Sequence, residues 1–135
     1  MNRMQVNIIS PDEEIFGGMA EMVVIPGEEG DFAAMFEHAP LITYMRPGKL
    51  EISTDDKESD IIFFVGGGFV KVADNKCLIM VDYIKKSSDI DLKTNEQKIN
   101  SLKSEISVEK NDVEKENISK SIDILQAEID LISSK

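Results

Sequence analysis

Hydrophobic and polar positions follow two different periods along this chain. In "RMQVNIIS", Met4, Val6 and Ile8 alternate with Arg3, Gln5 and Asn7. That period of two buries one face of a β-strand. "MAEMVVIPG" repeats it, with Val23 and Ile25 on one side, and stops at Pro26-Gly27. "KLEIS" sets Leu50 and Ile52 against Lys49, Glu51 and Ser53. "TDDKESD" reads as a polar turn and "IIFFV" as the next strand. "FVKVADNKCLIMVDY" reads as a hairpin folded at Asp74-Asn75, because both residues tolerate left-handed backbone. Short strands with Gly, Pro and Asp turns predict an antiparallel sandwich or barrel over residues 1–86.

The period changes after Lys86. From Ser87 to Lys135 there is no Gly, no Pro and no aromatic residue. Ile118, Ile122, Leu125, Ile129 and Ile132 are spaced 4, 3, 4, 3, one apolar stripe on a helix. Leu92, Ile99, Leu102 and Ile106 form a weaker stripe upstream, and the charged stretch "SVEKNDVEKEN" separates the two. The pattern predicts two antiparallel helices over residues 87–135, joined near residues 106–112. Ser87, Ser88 and Asp89 offer N-caps for the first. A hairpin this small does not bury both stripes by itself, so it needs the sandwich or another protein.

Composition narrows the function. The chain has 135 residues, 41% hydrophobic and 30% charged, which suits a globular domain with an appendage. The longest uncharged run, Ile61 to Val70, is far shorter than the roughly 20 apolar residues of a membrane helix. Asp12, Glu13 and Glu14 arrive before any apolar core of signal-peptide length, so no such leader is expected. The net charge is −11, and the two arginines, Arg3 and Arg46, sit far apart. No basic patch serves nucleic acid or an anionic lipid surface. Cys77 is the only cysteine and lies in "CLIMV", where a buried, inert thiol is expected.

The segment from Ile25 to Leu50 concentrates acids, glycines, prolines and the only histidine, His38. It still offers little chemistry. A nucleophile needs a base and an orienting acid, and no "GxSxG" elbow is present. One His and one Cys do not build a transition-metal site, and the carboxylates lack calcium-loop spacing. "GEEGD" would repel a phosphate, and "VGGGF" lacks the Lys-Ser/Thr of a P-loop. Both read as backbone geometry that glycine permits. His38 reads as a packing residue, and Glu28 and Glu29 as solvated. No catalytic residue, metal or cofactor is expected.

"VVIPGEEGDF", "HAPLITYMRPGKLEI" and "FVGGGFVKVADNKCLIMVD", in this order and followed by a helical tail, resemble the epsilon-subunit family of F-type ATP synthases. The opening "VNIISPDEEIFGGMAEMVVIPG" looks like that family's first strands. The resemblance implies a ten-stranded β-sandwich followed by a two-helix hairpin. It implies a non-catalytic rotor subunit at the foot of the central stalk, against the gamma subunit and the c ring. That places it on the cytoplasmic side of a bacterial inner membrane, held there through the complex alone. The loop "GEEGDF" matches the one that faces the c ring, with the family's acidic position falling on Asp31 and with Glu28 and Glu29 as its neighbours. Phe36, His38, Ala39 and Pro40 match the segment near the gamma and rotor interface. The stripe Ile118, Ile122, Leu125 and Ile129 matches a regulatory hairpin that can reach the alpha and beta subunits and limit ATP hydrolysis.

Two departures stand out. Phe36-Glu37 replaces the family's Pro-Gly before the histidine. "IDLKTN", Ile90 to Asn95, replaces "IDxxRA", the start of the first helix in ATP-binding members. No arginine follows Arg46, so no bidentate phosphate clamp exists and ATP binding is not expected. Residues 87–135 hold eleven acids and seven lysines, net −4. Attraction to an acidic partner is then weak, and only limited inhibition of hydrolysis follows. The competing readings are a free-standing adaptor that clamps a partner with its hairpin and, third, a small-molecule sandwich enzyme.

Overall fold

The computed structural model describes residues 3–54 and 60–133. Most of the polar turn expected at Thr54–Asp60 lies outside the described residues. Two compact units are present, Met1–Lys86 and Ser87–Lys135.

Among its described residues the first unit holds eight strands: β1 (Met4–Ile9), β2 (Glu14–Ala20), β3 (Met22–Gly27), β4 (Gly30–Met35), β5 (Leu41–Ser53), β6 (Ile61–Ala73), β7 (Lys76–Val81) and β8 (Ile84–Lys86). Their order is β2-β1-β7-β6-β5-β3-β4, with β8 also on β6. All pairs are antiparallel except β1 with β7, which run parallel. That single parallel pair corrects the fully antiparallel expectation. The "MAEMVVIPG" strand is also divided, with Met19 and Ala20 in β2 and Met22 opening β3.

Two strands do most to shape the sandwich. On β5 the inward residues change from odd to even positions: Met45, then Leu50 and Ile52. On β6, Phe63 and Val65 give way to Val70 and Val72. A strand's side chains alternate, so a parity change requires a local break in the pleat. The breaks are paired across the ladder, at Pro47↔Gly66 and Met45↔Gly68. Gly67 and Gly68 adopt φ of +102° and +142°, which L side chains rarely take. The ribbon folds here, and both halves of each long strand face one core. Beyond the fold, β8 runs along Phe63–Val65 while β7 runs along Gly68–Ala73. The described residues thus form eight strands rather than the expected ten, because β5 and β6 each run unbroken through the fold, and the sandwich class stands.

The core is mainly aliphatic, with Phe63 and Phe64 also buried. Met4, Val6, Ile8, Val23, Ile25, Leu50, Ile52, Val65, Val70 and Ile79 are fully buried. Each such side chain contributes roughly 1.5–3 kcal/mol by leaving water. The turn between β6 and β7 is Asp74-Asn75, with φ of 52° and 61°. Two positive φ angles are what a tight two-residue hairpin needs, and the sequence pattern had marked this pair.

The second unit contains a 3-10 turn (Ser87–Asp89), α1 (Leu92–Val108) and α2 (Asp112–Ser133). Asp91 caps α1 by accepting from the Thr94 N–H at 3.1 Å. The expected caps Ser87, Ser88 and Asp89 instead form the 3-10 turn. Asn111 opens α2, its Oδ1 accepting from Val113 and Glu114 N–H at 2.9 and 3.1 Å.

Candidate docking surfaces

The acids Glu28, Glu29 and Asp31 meet at the tip of the β3–β4 hairpin, and all three are exposed. Gly27 and Gly30 face each other across the turn. A Cβ on Gly27 would lie 2.8 Å from the Gly30 carbonyl oxygen, so the turn closes only around glycine. Asp31, though exposed, is paired: its Oδ1 meets Arg46 Nη2 at 2.5 Å.

Phe36, His38, Ala39 and Pro40 form the connection from β4 to β5. Phe36 and His38 are half-buried, whereas Ala39 and Pro40 are exposed. The His38 N–H donates to the Met35 carbonyl at 2.9 Å, and its ring lies 6.2 Å from that of Phe32. His38 Nδ1 is 2.7 Å from the Ala39 carbonyl oxygen. Glu37 takes φ of 67°, and its N–H donates to Asn75 Oδ1 at 2.7 Å. This left-handed position falls where the resembled family has glycine. The turn survives the substitution because Asn75 holds Glu37 from the neighbouring loop. A left-handed residue other than Gly costs about 1–2 kcal/mol, partly offset by the stiffer unfolded chain. Glu37→Gly is therefore expected to stabilise the sandwich by about 0.5–1 kcal/mol, read as a rise in the urea midpoint at constant m-value.

The sequence pattern did not mark a third surface. On the outer face of the sheet, ladder partners align Tyr44 with Phe69, Phe69 with Met80, and Met80 with Ile9. Beside this row lie Ile42 and Leu78, with Lys71 between them. Tyr44 is 65% exposed, Ile42 62%, Met80 46% and Ile9 37%. Tyr44 and Phe69 meet edge-on at 5.9 Å. An apolar row of this extent on a sheet face marks an interaction surface rather than scattered exposed residues. "LITYM" and "CLIMV" carried a signal, since strands apolar on both faces are usually covered on both.

In the helical unit Ile118 is buried, and Ile122, Leu125 and Ile129 are half-buried. Leu92, expected on the α1 stripe, is 45% exposed. Asn95, one turn on, is buried and donates to Glu128 Oε1 at 3.1 Å and to the Leu125 carbonyl at 3.3 Å. Glu128 is fully buried. A polar pair between two helices fixes their register. Asn95 stands where ATP-binding members of the resembled family have alanine, and here it serves helix pairing.

Among the described residues no group of three or more His, Cys, Asp or Glu could hold a metal ion. Burial pushes the Cys77 thiol from an ordinary 9.0 up to about 12. It stays protonated and unreactive at neutral pH. No described helix is long and apolar enough to cross a membrane.

Residues 3–87 match the family model for the beta-sandwich domain of the ATP synthase delta/epsilon chain. The chain belongs to the ATP synthase delta/epsilon family. Among relatives named ATP synthase epsilon chain, that of Halorhodospira halophila is 37% identical, over 67% of this chain and 64% of its own. The match thus spans just under two thirds of that relative. The epsilon chain of Rhodospirillum centenum is 30% identical over 99% of this chain and 94% of its own. The fold of the family recurs in a chain of the Euglena gracilis mitochondrial ATP synthase (OSCP/F1/c-ring). The TM-score is 0.80 at 16% identity, over 93% of this chain and 78% of that one. A chain of the Tetrahymena thermophila mitochondrial ATP synthase central stalk and c ring aligns with TM-score 0.63 at 18% identity, over 97% and 94%.

Proposed function

We propose that the chain acts as the non-catalytic epsilon subunit of an F-type ATP synthase, a rotor component that joins the gamma subunit to the c ring. The observation that carries this reading is the row Ile9, Met80, Phe69 and Tyr44 with Ile42 beside it. An apolar sheet face calls for a permanent partner, and in a central stalk that partner is gamma. Torque transmission needs complementary surfaces rather than reactive groups, in keeping with a chain whose only thiol is buried and protonated. The acidic β3–β4 tip then faces the polar loops of the ring, where carboxylates accept charge-assisted hydrogen bonds. The segment Phe36 to Pro40 borders the gamma contact. The subunit is peripheral, on the cytoplasmic face of a bacterial inner membrane, and reaches the membrane only through the complex.

Tagged full-length chain is expected to bring gamma with it from detergent-solubilised membranes. A free-standing adaptor would come down without gamma. The helical hairpin, net −4, restrains hydrolysis weakly by reaching toward the alpha and beta subunits. Removing residues from Ser87 onward is expected to raise ATP hydrolysis by well under tenfold, or less than about 1.4 kcal/mol of net inhibition. A rise beyond that would mark the hairpin as a strong inhibitor.

A further inference from the structure

Arg46 lies on β5 beside the β3–β4 hairpin, and its guanidinium forks between the two sides of that hairpin's turn. Nη1 donates to the Gly27 carbonyl at 2.8 Å, and Nη2 pairs with Asp31 Oδ1 at 2.5 Å. Gly27 and Asp31 flank the turn Glu28-Glu29-Gly30, so one side chain holds both of its ends. A third tie is the Glu28 N–H, which donates to the Tyr44 carbonyl at 2.9 Å. A planar guanidinium suits two acceptors in fixed directions, whereas a lysine ammonium is a point charge on a flexible stem.

The pair also changes which acid is available. The Asp31 charge is matched within the chain, so the outward charge of the tip rests on Glu28 and Glu29. Glu29 and Asp31 both border a shallow hollow of about 300 Å³, whose walls include Phe32, Leu41 and Thr43, but of the two only Asp31 is paired with Arg46. An acidic rim over a partly apolar floor fits a long side chain that ends in a hydrogen-bond donor.

We propose that Arg46 is a positioning residue for the ring-facing hairpin, and that Glu29, not Asp31, meets a donor side chain of the ring. The inference rests on the rotor reading above. Arg46 and Asp31 are 45% and 60% exposed, so their ion pair does little for overall stability. Its contribution is to orientation, and binding should respond where melting does not.

The test uses the full-length chain assembled with the other catalytic-sector subunits and titrated onto membranes stripped of that sector. Arg46→Met is expected to weaken rebinding roughly five- to tenfold with an unchanged melting temperature, and Arg46→Lys to restore part of the loss. Glu29→Gln is expected to weaken rebinding by a similar factor and to flatten its salt dependence. Asp31→Asn should weaken rebinding alone but add nothing to Arg46→Met, since both break one pair. Additive effects of Asp31→Asn and Arg46→Met, or wild-type rebinding by Glu29→Gln, would move the contact to Asp31 and overturn the proposal. A sector lacking the chain altogether that rebinds as well as the complete one would remove the rotor reading itself.

Discussion

Gly68→Ala is expected to lower the melting temperature of the sandwich by roughly 12–24 °C. A Cβ built on Gly68 would sit 2.2 Å from the Met80 carbonyl oxygen and 3.0 Å from the Val81 Cα. Both neighbours are backbone of the paired strand β7, which cannot rotate away. The φ of +142° adds strain of about 1–3 kcal/mol for any residue with a Cβ. Displacing the strand adds about 1–3 kcal/mol. A total near 3 kcal/mol, at about 4–8 °C per kcal/mol for a domain of this size, gives the expected fall. Gly30→Ala separates the two causes. Its φ is +137°, but nothing lies within 4 Å of the new Cβ, so only the backbone strain remains. Thermal unfolding followed by circular dichroism reads both variants. A Gly68→Ala protein that melts within about 3 °C of its parent would show that the corner does not depend on this glycine.

The second large effect belongs to the apolar face. Tyr44→Asp is expected to leave folding nearly unchanged and to weaken gamma binding about 100-fold or more. Tyr44 is 65% exposed, so its ring is not core. Its edge contact with Phe69 is worth about 0.5–1.5 kcal/mol at most. In a complex with gamma the same position lies within the row Ile9, Met80, Phe69 and Tyr44. A carboxylate buried there loses its water and has only Lys71, diagonal across the ladder, as a cation within the chain; removing such a charge from water costs several kcal/mol. Thr43→Ser, one residue away on the opposite side of the strand, should bind like the parent. Calorimetric titration of recombinant gamma with the full-length variants measures the difference. Equal affinities for Tyr44→Asp and the parent would take gamma off this face.

The sequence exposed some of this architecture and hid the rest for physical reasons. Alternation found β1, and the Asp74-Asn75 turn was legible because tight hairpins require left-handed residues. The spacing in residues 118–132 found α2. Alternation also cut β6 into separate strands and found only the second half of β5, because the parity change at Pro47-Gly48 and Gly66-Gly68 breaks the period without breaking the hydrogen-bonded ladder. The parallel pairing of β1 with β7 joins segments about 70 residues apart, and no local pattern encodes it. The tip acids were legible as a cluster, yet the partner of Asp31 was not. Arg46 is fifteen positions away and arrives only through the β3–β5 pairing. Ile42, Tyr44 and Met80 were hidden because apolar residues on both sides of a strand look the same whether neighbour or partner covers them. Glu37 shows the converse. Its left-handed backbone explains why the family's glycine position exists, and Asn75 explains how this chain manages without it.

Oxidative footprinting of the full-length chain, free and bound to gamma, shows whether gamma covers the apolar face. Methionine and tyrosine are readily modified when exposed, and the face carries Met80 at 46% and Tyr44 at 65% exposure. The same two residues in the free chain serve as the exposed reference, and fully buried Met4 as the protected one. Gamma is expected to lower the oxidation of Met80 and Tyr44 toward that of Met4. Continued oxidation of Met80 and Tyr44 in a complex whose gamma is fully bound would contradict this expectation.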